Sequence, residues 1–376
     1  MAETGGYPAL RNRAGWRHLS WFWLAVLSLL GAGSGVLQYL GPPGPEGQHA
    51  LPRELHTPPG NQTGSATIRN ETVVAGVRPV APVVAGRDTP GPIADPDPAL
   101  LQPLAEGSKE NLPRIAADGR PSMQVYAAGF DHSSRRPRIG LLLGGIGLNE
   151  AESDAAIRAL PGAVSLAVSP YAWNMTRLLE TARASGHEYL IQVPLEPTGF
   201  PLNDPGPDTL LTSLPPSANA QYLHWALSRI DGYVGATGVI GTMRGERLAA
   251  MTDQMDAVLS EFAGRGLLYV DPRPGNGTAL EGVPRTWGRH VELVIDDPAD
   301  QGVADRAMID AKLAELEQRA KDNGSALGLV MQPTPAAVAR IAAWSNGLAD
   351  RGLALAPVSA LVQPPAESPV KLSERE

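Results

Sequence analysis

Residues 137–147 read PRIGLLLGGIG, and the interpretation of the rest of the chain depends on this stretch. Apolar residues 139–143 do not alternate with polar ones, which predicts a strand of a parallel sheet that is covered on both faces. Glycines then form a turn, and Asn149 can cap the helix that follows. In α/β folds, chemistry usually sits at the carboxyl end of such a strand. Here that position holds Gly144 and Gly145 instead of acidic residues.

The segment before this strand is rich in proline and glycine. The chain has 376 residues, with 41 glycines and 36 prolines, and GPPGPEGQ and DTPGPIADPDPA are typical of residues 41–136. This segment has hardly any aromatic residue and no sustained apolar period, so we expect it to bury too little apolar surface to fold. The sequence therefore predicts a disordered linker over residues 41–136. It also predicts a disordered polar tail over residues 363–376.

A membrane span is predicted near the N-terminus. The run from Trp21 to Leu40, WFWLAVLSLLGAGSGVLQYL, has no charged side chain and is about as long as a helix needs to cross a bilayer. Arg11, Arg13 and Arg17 precede it, so the positive-inside rule places residues 1–20 in the cytoplasm. We therefore expect a single-pass protein of the inner membrane with its C-terminal domain in the periplasm. A cleavable signal peptide ending near GAGSG is the alternative, although this apolar run is longer than a usual signal-peptide core.

Two features of the composition exclude classes of function. The chain contains no cysteine, so an exported domain must fold without disulfides, and cysteine-based catalysis and cysteine-ligated zinc sites are excluded. The formal net charge is −8, which argues against a nucleic-acid partner.

Strands and helices are predicted to alternate from residue 138 onward. After the first strand, further strands are expected at residues 163–168, 188–193, 233–236, 267–270, 291–295, 326–331 and 353–356. Helical segments separate most of them, which implies parallel strands in βα units, arranged as an open sheet or a barrel. Residues 194–216 form a long segment rich in proline and glycine, a profile that is typical of a functional loop.

The order of motifs resembles the divergent polysaccharide deacetylase family, whose members are relatives of the NodB-type carbohydrate esterases. The most specific matches are GHE at 186–188, PLEP at 194–197 and DPGP at 204–207. The resemblance extends over residues 138–362, nearly the whole of the predicted domain at 137–362. It implies a deformed seven-stranded (β/α) barrel with a groove at the carboxyl ends of its strands.

The resemblance also implies a zinc site, but the ligand positions are substituted. A zinc-dependent deacetylase needs a carboxylate and histidines around an open coordination position. The expected Asp-Asp pair is replaced by Gly144 and Gly145, and an expected histidine is replaced by Gln192. The expected NNHMGS motif reads TGVIGT at 237–242, with Val239 at its histidine position, and the expected GHPHP motif reads MQPTP at 331–335. We therefore expect no metal and no other cofactor.

Polar residues nevertheless remain at the predicted strand ends. The candidates for ligand binding are Gln192, Glu196, Asp271, Arg273 and Asp296. Arginine beside a carboxylate suits hydrogen bonding to sugar hydroxyls, although Asp271 and Arg273 can equally form an ion pair that braces the loops. Asp271 and Glu196 are also the candidate catalytic residues, as in a glycosidase pair. By contrast, we expect structural roles for the three histidines of the domain, His187, His224 and His290.

Two functions of different class follow from these features. The first is a protein without metal-dependent deacetylase activity, whose groove binds envelope polysaccharide or a cell-envelope protein. The second is an active carbohydrate-ester hydrolase with a non-standard active site that includes Asp271 and Glu196. The substituted ligand positions favour the first.

Overall fold

The computed structural model describes residues 86–241, 243–275, 283–296 and 305–365. The predicted span from Trp21 to Leu40, residues 41–85 of the predicted linker and most of the predicted tail lie outside these ranges. Within the described ranges, no helix combines the length and the apolar character that a membrane span requires.

Residues 86–136 are folded, so the prediction of a disordered linker is wrong for this part. A 3-10 turn at Pro98–Leu100 leads into strand β1, Leu101–Pro103, which pairs in antiparallel fashion with β2, Asn111–Pro113, and a short helix α1 follows at Ser122–Val125. Ile93, Tyr126 and Phe130 are buried in the same apolar cluster as residues of the main sheet. The apolar residues are scattered without a period, which concealed the segment in the sequence, but the sheet supplies the surface that buries them.

The main sheet begins with β3, Arg138–Ile146, in which every residue is buried, as the apolar run predicts. The strands that follow are β4 Ser165–Val168, β5 Tyr189–Val193, β6 Gly235–Gly238, β7 Leu268–Asp271, β8 Gly288–His290, β9 Leu293–Val294, β10 Ser325–Val330 and β11 Ala354–Leu355. All neighbours in the order β8-β7-β6-β5-β4-β3-β10-β9 are parallel, and β11 also pairs with β3. The predicted α/β class is confirmed, as a parallel half-barrel sheet with flanking helices.

Helices connect most of these strands and cover one face of the sheet. They are α2 Glu150–Ala159, α3 Met175–Ala184, α4 Pro216–Leu227, α5 Glu246–Ala249, α6 Thr252–Gly264, α7 Arg306–Asn323 and α8 Pro335–Ser345. Asn149 caps α2 as predicted, because its side chain accepts hydrogen bonds from the N–H groups of Ala151 and Glu152 at 3.1 and 3.2 Å. The helical segment before β7 is divided into α5 and α6, since Met251 adopts an extended backbone between them.

The two ends of the described chain meet at Glu188, a buried carboxylate just before β5. It accepts hydrogen bonds from the N–H of Ala128 at 2.9 Å and from the hydroxyl of Ser165 at 2.8 Å. It also accepts from the N–H and hydroxyl of Ser359 at 2.9 and 2.6 Å. A buried charge is tolerated only with such partners. Glu188 therefore ties residues 86–136 and the C-terminal residues to the sheet.

Candidate functional site

The carboxyl ends of β3 and of β5 to β10, with the loops that follow them, form what we call the strand-end surface. In parallel sheets this edge is where ligands usually bind. All five binding candidates from the sequence lie at or next to the carboxyl end of a strand. Gln192 and Asp271 are among the last two residues of β5 and β7, and Glu196, Arg273 and Asp296 follow β5, β7 and β9. Their contacts show which of them are available to a ligand.

The positions of the expected acidic pair have no room for side chains. A Cβ added to Gly144 would lie 2.5 Å from Cγ2 of Ile240 and 2.8 Å from the carbonyl oxygen of Met331. Gly145 has a φ of +70°, and a Cβ there would lie 2.9 Å from Cδ of Pro333. Ile240 and the loop after β10 therefore occupy the volume that two carboxylates would need.

Gln192 holds this arrangement in place. Its Nε2 donates to the carbonyl oxygen of Ala167 at 3.1 Å, and its Oε1 accepts from the N–H of Ile240 at 3.1 Å. The side chain is buried, and both its amide nitrogen and its amide oxygen are hydrogen-bonded. Gln192 therefore connects β4 to the loop after β6 and keeps Ile240 against Gly144.

Glu196 braces the Pro-rich loop. Its carboxylate accepts from the N–H of Thr212 at 2.5 Å and pairs with Nη1 of Arg247 at 2.8 Å. Its main-chain oxygen accepts from the N–H groups of Arg247 and Leu248, both at 3.1 Å. The buried carboxylate therefore joins the two ends of the loop to helix α5.

Asp296 has a similar internal role. Its two carboxylate oxygens accept from the N–H of Met331 at 2.6 Å and from the N–H of Gln332 at 3.1 Å. These contacts fix the loop after β10, which is the loop that packs against Gly144 and Gly145.

Asp271 lies at the centre of a cluster that remains partly open to solvent. Its Oδ1 accepts from the N–H and from Nε of Arg273 at 3.0 and 2.9 Å, and Nη2 of Arg273 contacts Oδ2. Nδ1 of His290 lies 3.3 Å from Oδ2, since the two residues are register partners at the ends of β7 and β8. The Asp271 side chain is 3% exposed, whereas those of Arg273 and His290 are 32% and 33% exposed.

The charge of Asp271 is fixed by these neighbours. Burial alone would raise the pKa of its carboxyl group, but the hydrogen bonds from His290 and Arg273 outweigh burial and lower the pKa to about 2. Asp271 is therefore ionised at neutral pH. Its partner Arg273 has a raised pKa, chiefly because of the hydrogen bond to Asp271.

Comparison with known proteins agrees with this architecture. The sequence profile described as divergent polysaccharide deacetylase matches residues 141–362. The chain belongs to this family. It is 32% identical, with a TM-score of 0.59, to a solved structure of an uncharacterised protein from Agrobacterium tumefaciens C58, and the match covers 67% of this chain and all of that one.

Two further solved structures have lower similarity to the chain. One is the catalytic domain of a peptidoglycan N-acetylglucosamine deacetylase from Eubacterium rectale, with 10% identity, a TM-score of 0.40, and 62% of this chain and 93% of that one covered. The other is a putative polysaccharide deacetylase from Mycobacterium smegmatis, with 14% identity, a TM-score of 0.39, and 62% and 91% covered. No curated protein matches the chain.

The zinc centre that the family resemblance implies does not fit these residues. The side chains that should provide its carboxylates are absent at Gly144 and Gly145, and their space is filled. Within the four described ranges, no group of three or more histidine, cysteine, aspartate or glutamate side chains is placed to hold a metal ion. A zinc-bound water therefore has no position that the described part of this chain would support.

The sequence-predicted candidates separate into two groups. Asp271 and Arg273 are brought together, whereas Gln192, Glu196 and Asp296 are used in separate internal contacts. The proposed catalytic carboxylates, Asp271 and Glu196, pair with different cationic partners.

The histidines also separate into residues with internal contacts and one residue beside Asp271. Both ring nitrogens of the buried His187 lie beside carbonyl oxygens, and His224 pairs with Glu261 at 2.7 Å, which agrees with structural roles. His290 is the residue that the sequence interpretation missed, because the strand was placed at 291–295. A strand at 288–290 would have set His290 opposite Asp271 in the parallel register.

Proposed function

We propose that this divergent polysaccharide deacetylase binds envelope glycan at its strand-end surface without metal-dependent deacetylation. The observation that carries the proposal is the contrast between two parts of this surface. The space at the expected acid positions, Gly144 and Gly145, is filled by Ile240 and its neighbours, whereas Arg273 and His290 are about one third exposed above an ionised Asp271.

The contacts of Arg273 suit a binding role. Asp271 uses Nε and Nη2 of the guanidinium group, which fixes its plane, and among the described residues Nη1 has no hydrogen-bond partner. A fixed guanidinium donates to sugar hydroxyl, amide or carboxylate oxygens with little further loss of side-chain entropy. His290 adds a ring nitrogen, Nε2, that likewise has no partner within the described ranges.

The proposal also includes attachment to the inner membrane. The uncharged run from Trp21 to Leu40 and the preceding arginines support a single span, with the folded domain in the periplasm. That location would bring the domain close to envelope polysaccharide. An envelope protein is the alternative partner.

The test is sedimentation of the full-length protein with insoluble peptidoglycan, using Arg273→Ala as the variant. Removing a charged hydrogen-bond donor costs about 1.5–3 kcal/mol, so we expect binding to weaken at least about tenfold. Arg158→Ala is the matched control, because Arg158 is an exposed arginine paired with Asp154 on α2, away from the strand ends. Equal affinity of both variants, or no binding by the wild-type protein, would contradict the proposal.

One observation favours a second function, a metal-independent ester hydrolase. A partly exposed histidine with Nδ1 against a buried carboxylate can act as a general base. His290 would take a proton from water as the water attacks an acetyl ester, and would return that proton to the departing sugar alkoxide, with Arg273 near the developing negative charge. Release of acetate from an acetylated glycan in the presence of a chelator, abolished by His290→Ala, would favour this function over binding alone.

A further inference from the structure

A cavity of about 630 Å³ lies outside the strand-end surface, between helices α3 and α4. Tyr171 and Trp173 line one end of it, Trp225 lines the α4 side, and Pro96, Arg183 and Asp231 line the other end. Ligand sites in proteins typically have volumes of roughly 300–1,000 Å³ and combine aromatic walls with a few polar groups. The proposed glycan contact at Arg273 makes no use of this cavity.

The indole of Trp173 is displayed at the cavity. This side chain is 89% exposed, although a tryptophan ring is usually largely buried. The next residue, Asn174, has φ and ψ of 49° and 42°, a left-handed conformation that precedes α3. An exposed indole offers a flat apolar face to a ligand at the mouth of the cavity.

The wall behind Trp173 is a fixed aromatic pair. The rings of Tyr171 and Trp225 have centroids 5.1 Å apart and planes inclined at 41°. Gly206 of the Pro-rich loop packs against Tyr171 so closely that an added Cβ would lie 2.3 Å from its Oη. The guanidinium of Arg229 lies 5.4 Å from the Trp225 ring. These contacts hold the two rings before any ligand arrives.

Polar groups of both signs complete the cavity. Nη1 of Arg183 donates to the hydroxyl of Tyr189 at 2.9 Å, which fixes that guanidinium. Asp231 is partly buried, and burial raises the pKa of its carboxyl group. A long hydrogen bond of 3.4 Å from Asn111 lowers that pKa, but by less. The carboxyl group therefore retains capacity to accept further hydrogen bonds.

We propose that this interhelical cavity binds a short, neutral stretch of pyranose glycan. Each sugar ring has an apolar C–H face that can stack on Trp173 and on the Tyr171–Trp225 wall. Its hydroxyl groups both donate and accept, which matches the acceptor of Asp231 and the donors of Arg183. A charged polymer would meet attraction from one of these two groups and repulsion from the other, so neither sign of charge is favoured. The inference shares the ligand class of the proposed function but concerns a separate site.

The test is calorimetric titration of the full-length protein with chitotetraose, a neutral sugar tetramer. Because Trp173 is exposed, we expect Trp173→Ala to retain the thermal unfolding temperature but to weaken binding at least fivefold, and Trp173→Phe to restore much of the affinity. Leu202→Ala is the control, since Leu202 is 96% exposed on the Pro-rich loop but does not line the cavity. We expect it to bind like the wild-type protein.

The outcomes separate the two proposed sites. Weakening by Trp173→Ala but not by Arg273→Ala supports the cavity and counts against the strand-end surface. The reverse pattern overturns the cavity proposal and leaves the strand-end proposal standing. Unchanged affinity in Trp173→Ala, or tighter binding of a proline-rich peptide than of chitotetraose, overturns the assignment of the cavity to a neutral glycan.

Discussion

Oδ2 of Asp271 lies 3.3 Å from Nδ1 of His290, across the carboxyl ends of two adjoining parallel strands. The same carboxylate accepts from Arg273, so one buried anion holds two partly exposed cationic or polar groups. The arrangement gives the strand-end surface a fixed hydrogen-bonding centre that depends on the charge of Asp271.

That charge predicts a specific acid sensitivity. The pKa of Asp271 falls from 3.8 to about 2 on folding, so its ionised form contributes stability above pH 3.8, and the contribution is lost as the pH falls through about 2. The shift corresponds to about 2 kcal/mol. The test is to measure the free energy of unfolding of the wild-type protein and of Asp271→Asn between pH 2 and pH 6. The difference between the two free energies should be about 2 kcal/mol smaller at pH 2 than at pH 6. A gap that is constant with pH would contradict the assigned pKa.

Restoring an acid at the first strand should fail to restore a zinc site. In Gly144→Asp the new Cβ would clash with Ile240 and with the main chain at Met331, so we expect a loss of about 1–3 kcal/mol in stability. We expect no stoichiometric zinc by elemental analysis after purification without chelator. Gly264→Asp, at the open end of α6, is the control and should remain within about 0.5 kcal/mol of wild type. One zinc ion per chain in Gly144→Asp, without loss of stability, would contradict the conclusion that position 144 has no room for a zinc ligand.

Residues 86–121 should stabilise the folded domain. Ile93, Leu100 and Leu112 are buried, and full burial of such a side chain stabilises a protein by about 1.5–3 kcal/mol. A fragment of residues 86–365 should therefore unfold cooperatively, whereas a fragment of residues 122–365 should be much less stable or aggregate. Equal unfolding temperatures for the two fragments would show that the N-terminal residues contribute little.

The predicted membrane topology has a direct test. Alkaline phosphatase fused after Val362 should be active in a Gram-negative host, because the uncharged run from Trp21 to Leu40 and its preceding arginines place the C-terminal side in the periplasm. A β-galactosidase fusion at the same position should be inactive. The opposite pair of results would reverse the topology.

The parts of the fold that the sequence predicted well are those with local signals. The uninterrupted apolar residues of β3 and the cap at Asn149 depend on neighbours within a few positions. The roles of Gln192 and Asp296 depend on Ile240 and on the loop after β10, which lie far away along the chain. No pattern within one segment could show that these polar side chains form hydrogen bonds inside the protein.

The same limit explains the two main errors. Residues 86–136 have no period of their own and fold because the sheet offers them a surface, so their composition alone suggested disorder. His290 was missed because it lies beside Asp271 only through the pairing of β7 with β8. The predicted strand began three residues too late, at 291 instead of 288, so this pairing could not be recognised.

The hydrogen bonds of Glu188 have a consequence for folding during synthesis. Its carboxylate accepts hydrogen bonds from both Ala128 and Ser359, which lie far apart in the chain. Ser359 is therefore synthesised long after the strands that it helps to cover. The apolar face of Leu142 and Leu190 stays uncovered by the C-terminal residues until these have been synthesised, and a partly folded chain is then prone to aggregation. A premature stop before β11 would leave that face uncovered permanently.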